Sequence, residues 1–197
     1  MATFTEDWNA SQFWYNETTA TTLAEQLLDG ASNDTNIAIV SAPSVYVALR
    51  NLLADSKRYS IKPTIKLLEY DERFAVFKKD FVFFDFQQPI RLDSELKGRF
   101  DCIVCDPPFL SEDCQTKAAM TVRWLARRWA GSTAAGDQGV KLMLCTGERM
   151  EALAHKLYGK AGLRTTTFLP EHTKGLSNEF RCYANFPCDA WSFDETK

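Results

Sequence analysis

Apolar residues in this chain fall in short compact runs, separated by stretches in which they recur every third or fourth position. The runs Asn36–Ser41, Thr64–Tyr70, Phe81–Phe86, Phe100–Cys105, Val140–Cys145, Arg164–Leu169 and Phe180–Phe186 predict seven strands. Helices are expected between them. Thr18–Leu28 opens on hydroxyl residues that can cap and stops before Gly30, and Pro43 introduces Ser44–Leu53. Ala118, Val122, Leu125 and Trp129 keep helical spacing, and Glu148–Tyr158 closes at Gly159. Strands alternating with helices imply an α/β fold, a mostly parallel sheet covered on both faces. The small, polar segment 130–139 reads as a flexible loop. Segment 170–178 joins the last two strands and is long for a hairpin connection.

At 197 residues, with 45% hydrophobic and 25% charged positions, the chain reads as one globular domain over 1–197. A domain of this size buries ~70% of its unfolded surface. No apolar run approaches a membrane span, and the first residues lack the basic and apolar regions of a secretion signal. A cytoplasmic setting with reduced cysteines follows as an expectation. Cys102 and Cys105 have metal-ligand spacing, but on a strand they point to opposite faces, so no metal site is expected. The net charge of −3 argues against a chain that grips nucleic acid by itself. Arg123, Arg127 and Arg128 read better as the solvated face of a helix than as a nucleic-acid patch.

Open parallel sheets bind ligands beyond the carboxyl ends of their strands. The fourth run ends in Asp106-Pro107-Pro108-Phe109. Each proline fixes φ and removes a donor, which leaves carbonyls available, and Asp106 is pushed to an extended conformation by Pro107. A carboxylate, a carbonyl and a flat ring at one corner suit an incoming amino group, so these four residues are the candidate catalytic set. The (Asn/Asp)-Pro-Pro-(Tyr/Phe) pattern is the signature of amino-directed methyltransferases that use S-adenosylmethionine.

The other strand ends supply candidates for that cofactor. Ser41 and Ala42, in a Ser-Ala-Pro-Ser turn without glycine, are small enough to let backbone approach its methionine half. Glu69, with Asp71 in reserve, is placed to accept from ribose hydroxyls. Asp85 can accept from the adenine amino group while Phe86 packs on the base. In the arm at 1–16, Phe13, Trp14 and Tyr15 form an aromatic wall over the substrate amine, and Gln12 can bond the cofactor's amino-acid end. His172, Asn178, Glu179 and Phe180 lie at the rim where a bulky substrate must dock.

Together these motifs closely resemble the eukaryotic lysine methyltransferases of translation elongation factor 1-alpha, a family formerly assigned to adenine-N6 DNA methylation. The carriers are the Ser11–Tyr15 and Val40–Tyr46 stretches, Glu69–Ala75, Asp106–Glu112, Leu144–Gly147, Pro170–Thr173 and Leu176–Tyr183. The resemblance implies a class I methyltransferase fold, a Rossmann-like seven-stranded sheet with an antiparallel last strand. It also implies S-adenosylmethionine as cofactor and the elongation factor as protein partner. Asp-Pro-Pro-Phe serves a lysine or an adenine amine, so N6-adenine methylation of DNA or RNA stays open as an alternative. So does a catalytically inactive fold that serves as a binding subunit. The acidic balance, the lack of room for a DNA-recognition domain and the resemblance favour lysine.

Overall fold

The computed structural model describes residues 14–130, 139–175 and 179–195. In chain order the elements are α1 (Glu17–Leu28), β1 (Asn36–Val40), α2 (Pro43–Ala54), β2 (Thr64–Glu69), β3 (Phe81–Phe83), β4 (Cys102–Cys105), α3 (Glu112–Leu125), β5 (Lys141–Gly147), α4 (Glu151–Tyr158), β6 (Arg164–Thr165) and β7 (Phe180–Ala184). The seven strands form one sheet in the order β3-β2-β1-β4-β5-β7-β6. All neighbours are parallel except β7, which runs antiparallel to β5 and β6. This is the class I methyltransferase arrangement that the resemblance implies.

The alternation of side chains along each strand builds two cores. Ile37, Ile39, Leu67, Val104, Met143 and Cys145 face α1 and α2. Ala38, Val40, Leu68, Ile103, Leu142 and Leu144 face α3 and α4. Cys102 joins the first set and Cys105 the second, so the pair does diverge across the sheet.

The ends of several elements differ from expectation. Asn16, rather than a hydroxyl residue, caps α1, its side chain accepting from the Thr19 amide at 2.8 Å. Helix α3 stops at Leu125, where Ala126 turns extended and bridges to Phe100. Trp129 is therefore not on the helix; it packs on Tyr158, with the Arg123 guanidinium 4.8 Å above its ring. Arg127 pairs with Asp101 at 2.8 Å. Glu148–Met150 forms a 3-10 turn before α4, and after Tyr158 another runs on to Gly162, which takes the left-handed conformation. The sixth strand pairs over only two residues, because beyond it the chain is met by the C-terminal segment: Thr166 bridges to Phe193. The loop expected at 130–139 lies largely outside the described residues.

Two topological facts place the site. The chain leaves β1 toward β2 and β3 on one side, then returns to lay β4 on the other. The crevice beyond the ends of β1 and β4 is thus the switch point where such sheets bind ligands. Because β7 is antiparallel, its start at Phe180 pairs with Gly147 at the end of β5. Glu179 and Phe180 are thereby brought beside the same crevice.

Candidate active site

Asp106 leaves β4 with its amide bonded to the Val40 carbonyl at 3.0 Å, which ties the corner to the end of β1. Pro107 is buried and Pro108 half-buried, while the Phe109 ring is exposed. The segment is held from below. The buried Gln115 side chain donates to the Phe109 carbonyl at 3.0 Å, and Arg149 donates to the Leu110 carbonyl at 3.0 Å. Ser111 caps α3 directly after the corner, accepting from the Cys114 amide. Sequence reading missed Gln115; its signal was a lone amide on the apolar face of α3, one turn in from the cap.

Three residues of the cofactor side meet at the neighbouring strand ends. Ser41 has φ 55°, the left-handed region that favours glycine, and its amide bonds to the Leu68 carbonyl at 2.9 Å. The turn therefore takes the shape that glycine would give, at a strain of roughly 1–2 kcal/mol. Ala42 is buried behind it. Glu69 is 6% exposed, and its Oε1 accepts from the amides of Tyr70 and Asp71 at 3.0 and 3.2 Å, which fixes the carboxylate. Asp71 turns elsewhere: it caps the following 3-10 segment through the Arg73 amide at 2.9 Å and pairs with the Arg73 guanidinium at 2.6 Å. Asp85 folds onto the Gln87 amide at 2.8 Å, and Phe86 meets Phe109 with ring centroids 5.5 Å apart.

The arm and the rim form one unit. The Asn16 amide bonds to the Glu171 carbonyl and the Thr173 amide to the Trp14 carbonyl, both at 2.9 Å, so residues 14–16 lie antiparallel to 171–173. This places the His172 ring 4.8 Å from Tyr15 and 4.7 Å from Phe180. Tyr15 is buried, and its hydroxyl donates to Asp106 Oδ2 at 2.6 Å. Trp14 is buried in the core, packed edge-on against Phe74 at 5.8 Å. Glu179 is exposed, and its carbonyl accepts from the Glu148 amide at 2.8 Å. Gln12, Phe13 and Asn178 lie outside the described residues.

Burial dominates the electrostatics. It pushes the Asp106 carboxyl up to about 7; the Tyr15 hydrogen bond opposes that rise and the Glu69 charge adds to it. Burial, then the Asp106 charge, raises the Tyr15 phenol well above its ordinary value. Among the described residues no cluster of His, Cys, Asp and Glu suits a metal ion. No helix among them is long and apolar enough to cross a membrane.

The chain is similar to known proteins over most of its length. The family model described as "Probable N6-adenine methyltransferase" matches residues 6–188. "Protein-lysine N-methyltransferase EFM5" of Saccharomyces cerevisiae is 48% identical over 98% of this chain and 77% of its own length. "EEF1A lysine methyltransferase 1" of Danio rerio is 44% identical, covering 89% of this chain and 96% of its own length. The human protein of that name is 40% identical over 92% and 75%. With a matching family model over nearly its whole length and relatives this similar, the chain belongs to the N6-adenine methyltransferase-type family, which includes these protein-lysine methyltransferases.

Proposed function

We propose that this chain methylates a lysine of translation elongation factor 1-alpha, using S-adenosylmethionine. The observation that carries the reading is the Asp106 corner at the sheet's switch point, in a chain whose relatives include a protein-lysine N-methyltransferase and proteins named EEF1A lysine methyltransferase 1.

The residues present fit the cofactor. The left-handed Ser41 and the small Ala42 leave the end of β1 open to its methionine half. Glu69, buried and oriented by two amides, is the acceptor for the ribose hydroxyls, and Asp71, committed to Arg73, is the weaker candidate. Asp85 and Phe86 are assigned to the adenine. When bound, the cofactor supplies a methyl group on a positively charged sulfur.

The chain's own task is to present a neutral amine. A lysine with an ordinary pKa near 10.4 is uncharged only about one part in a thousand near neutral pH, a penalty of about 4 kcal/mol. Desolvation among Phe109, Phe86 and Tyr15 lowers that pKa. The Asp106 carboxylate and the Pro107 carbonyl accept from the amine and point its lone pair, while Phe109 covers the aliphatic stem. Among the described residues no donor meets the Pro107 carbonyl. His172, Glu179 and Phe180 form the docking rim, together with Asn178. We place the reaction in the cytosol, in keeping with six free cysteines, five of them buried.

Labelled cofactor incubated in parallel with the elongation factor, DNA and RNA tests the reading. Label on a lysine of the elongation factor is expected, along with His172→Ala losing most of that labelling while cofactor affinity holds. Label on DNA or RNA with none on the protein would overturn it in favour of N6-adenine methylation. A chain that binds no cofactor in calorimetry would instead be a binding subunit.

A further inference from the structure

The Asp106 carboxylate faces a difficulty that the corner alone does not solve. The groups around it are Tyr15 from the arm, Glu69 at the end of β2, Cys145 on β5, Cys105 on β4 and Cys114 on α3. None of these carries a positive charge. A half-buried carboxyl beside another acid takes up a proton readily. Once protonated it no longer accepts from an ammonium, and the orientation of the target amine is lost. Among the described residues the Tyr15 hydroxyl, 2.6 Å from Oδ2, opposes this.

We propose that Tyr15 is the positioning residue of this active site, its hydroxyl keeping Asp106 ionised and turning the carboxylate so that Oδ1 alone meets the substrate nitrogen. The assignment rests on the lysine reading above. An ionised carboxylate accepting a short hydroxyl bond is favoured over its acid, because charge-assisted bonds are about twice as strong as neutral ones. Burial raises the Asp106 carboxyl to about 7, and the Tyr15 bond works against that rise. With Oδ2 taken by Tyr15, Oδ1 is left to accept from an N–H of the substrate amine, which points the nitrogen lone pair away from the carboxylate.

Tyr15 is itself fixed from outside the corner. Its ring lies against His172, and its carbonyl accepts from the Thr173 hydroxyl at 3.3 Å. The hydroxyl therefore reaches Asp106 only when the arm is joined to the rim. A side chain 91 positions away in sequence sets the state of the catalytic acid.

The test measures the Asp106 titration directly, by NMR on aspartate-labelled full-length chain without substrate, and the pH dependence of kcat on the elongation factor. Tyr15→Phe should raise the Asp106 midpoint, and the acid limb of kcat with it, by about one pH unit, as expected for losing one charge-assisted hydrogen bond. The KM for the elongation factor should change less than twofold at high pH. Incorporation of 3-fluorotyrosine at position 15, which keeps the packing and makes a stronger donor, should move both midpoints down. This second variant answers the question even if Tyr15→Phe fails to fold. An Asp106 midpoint that stays put in both variants, or a kcat that falls equally at every pH, would overturn the proposal and leave Tyr15 a packing residue. If wild-type chain does not label the elongation factor, the lysine reading fails by itself, and the substrate-free titration still decides the role of Tyr15.

Discussion

The Phe86 and Phe109 rings meet at 5.5 Å, joining the end of β3, assigned to the base, to the corner assigned to the amine. Each ring limits the other's rotation, so a loss on one side should be felt on the other. Phe86→Ala is expected to weaken cofactor binding severalfold and also to lower kcat at saturating cofactor. Calorimetry with single-turnover rates checks this; a change in affinity alone would show the two rings to be independent.

Gly147 lies directly beneath the corner. A Cβ placed there would sit 2.8 Å from Leu110 Cδ1, closer than side chains tolerate. Gly147→Ala should therefore push the flexible Leu110 side chain aside, at a stability cost of ~1 kcal/mol or less. Its kcat should fall as well, because Leu110 follows the Pro-Pro-Phe stretch. Shortening the neighbour in Gly147→Ala/Leu110→Ala should recover part of both losses, measured by thermal melting and turnover.

Glu69 and Asp71 are separated by structure where sequence ranked them only by position. Removing a buried hydrogen-bonding charge costs ~1.5–3 kcal/mol. Glu69→Ala should accordingly weaken cofactor binding by about tenfold or more. Asp71→Ala should leave cofactor affinity nearly unchanged and lower stability by ~1 kcal/mol through loss of the cap. Equal losses of affinity in the two variants would contradict the assignment.

Asp106 should show a stability–function conflict. Its carboxyl is raised from 3.8 to about 7 in the folded chain. Between these values the folded state holds a proton that the unfolded state has released, so stability falls as pH rises through that window and levels off above it. Asp106→Asn carries no such charge and can still accept from Tyr15. It should abolish turnover while raising the melting temperature at pH 8 more than at pH 5. An equal shift at both pH values would contradict burial of the charge.

The core position of Trp14 gives a last prediction. Trp14→Ala should lower stability by about 3–5 kcal/mol, the range for deleting a large buried ring. Its loss of methylation should follow the loss of folded chain rather than a change in KM.

The sequence by itself determined the sheet and the strand ends to which its candidate chemistry is assigned. Strand patterning is local, so the runs from Asn36 through Phe180 were readable without contacts. An acid after each of several parallel strands follows from the topology that those runs imply. Asp106, Pro107, Pro108 and Phe109 were legible because proline chemistry acts on adjacent residues. Element ends were less legible: Trp129 keeps helical spacing, yet α3 stops at Leu125 because Ala126 finds a strand partner in Phe100. Only the tertiary structure distinguished Trp14 from Tyr15. Trp14 and Tyr15 are adjacent and similar in bulk, but extended backbone sends them to opposite sides, one to Phe74 and the other to Asp106. That choice is set by the pairing of residues 14–16 with 171–173, a register between distant segments that no local pattern encodes. The state of Asp106 was likewise decided in three dimensions, because desolvation and the Tyr15 bond depend on which groups the fold packs around a carboxylate, and not on its neighbours in the chain.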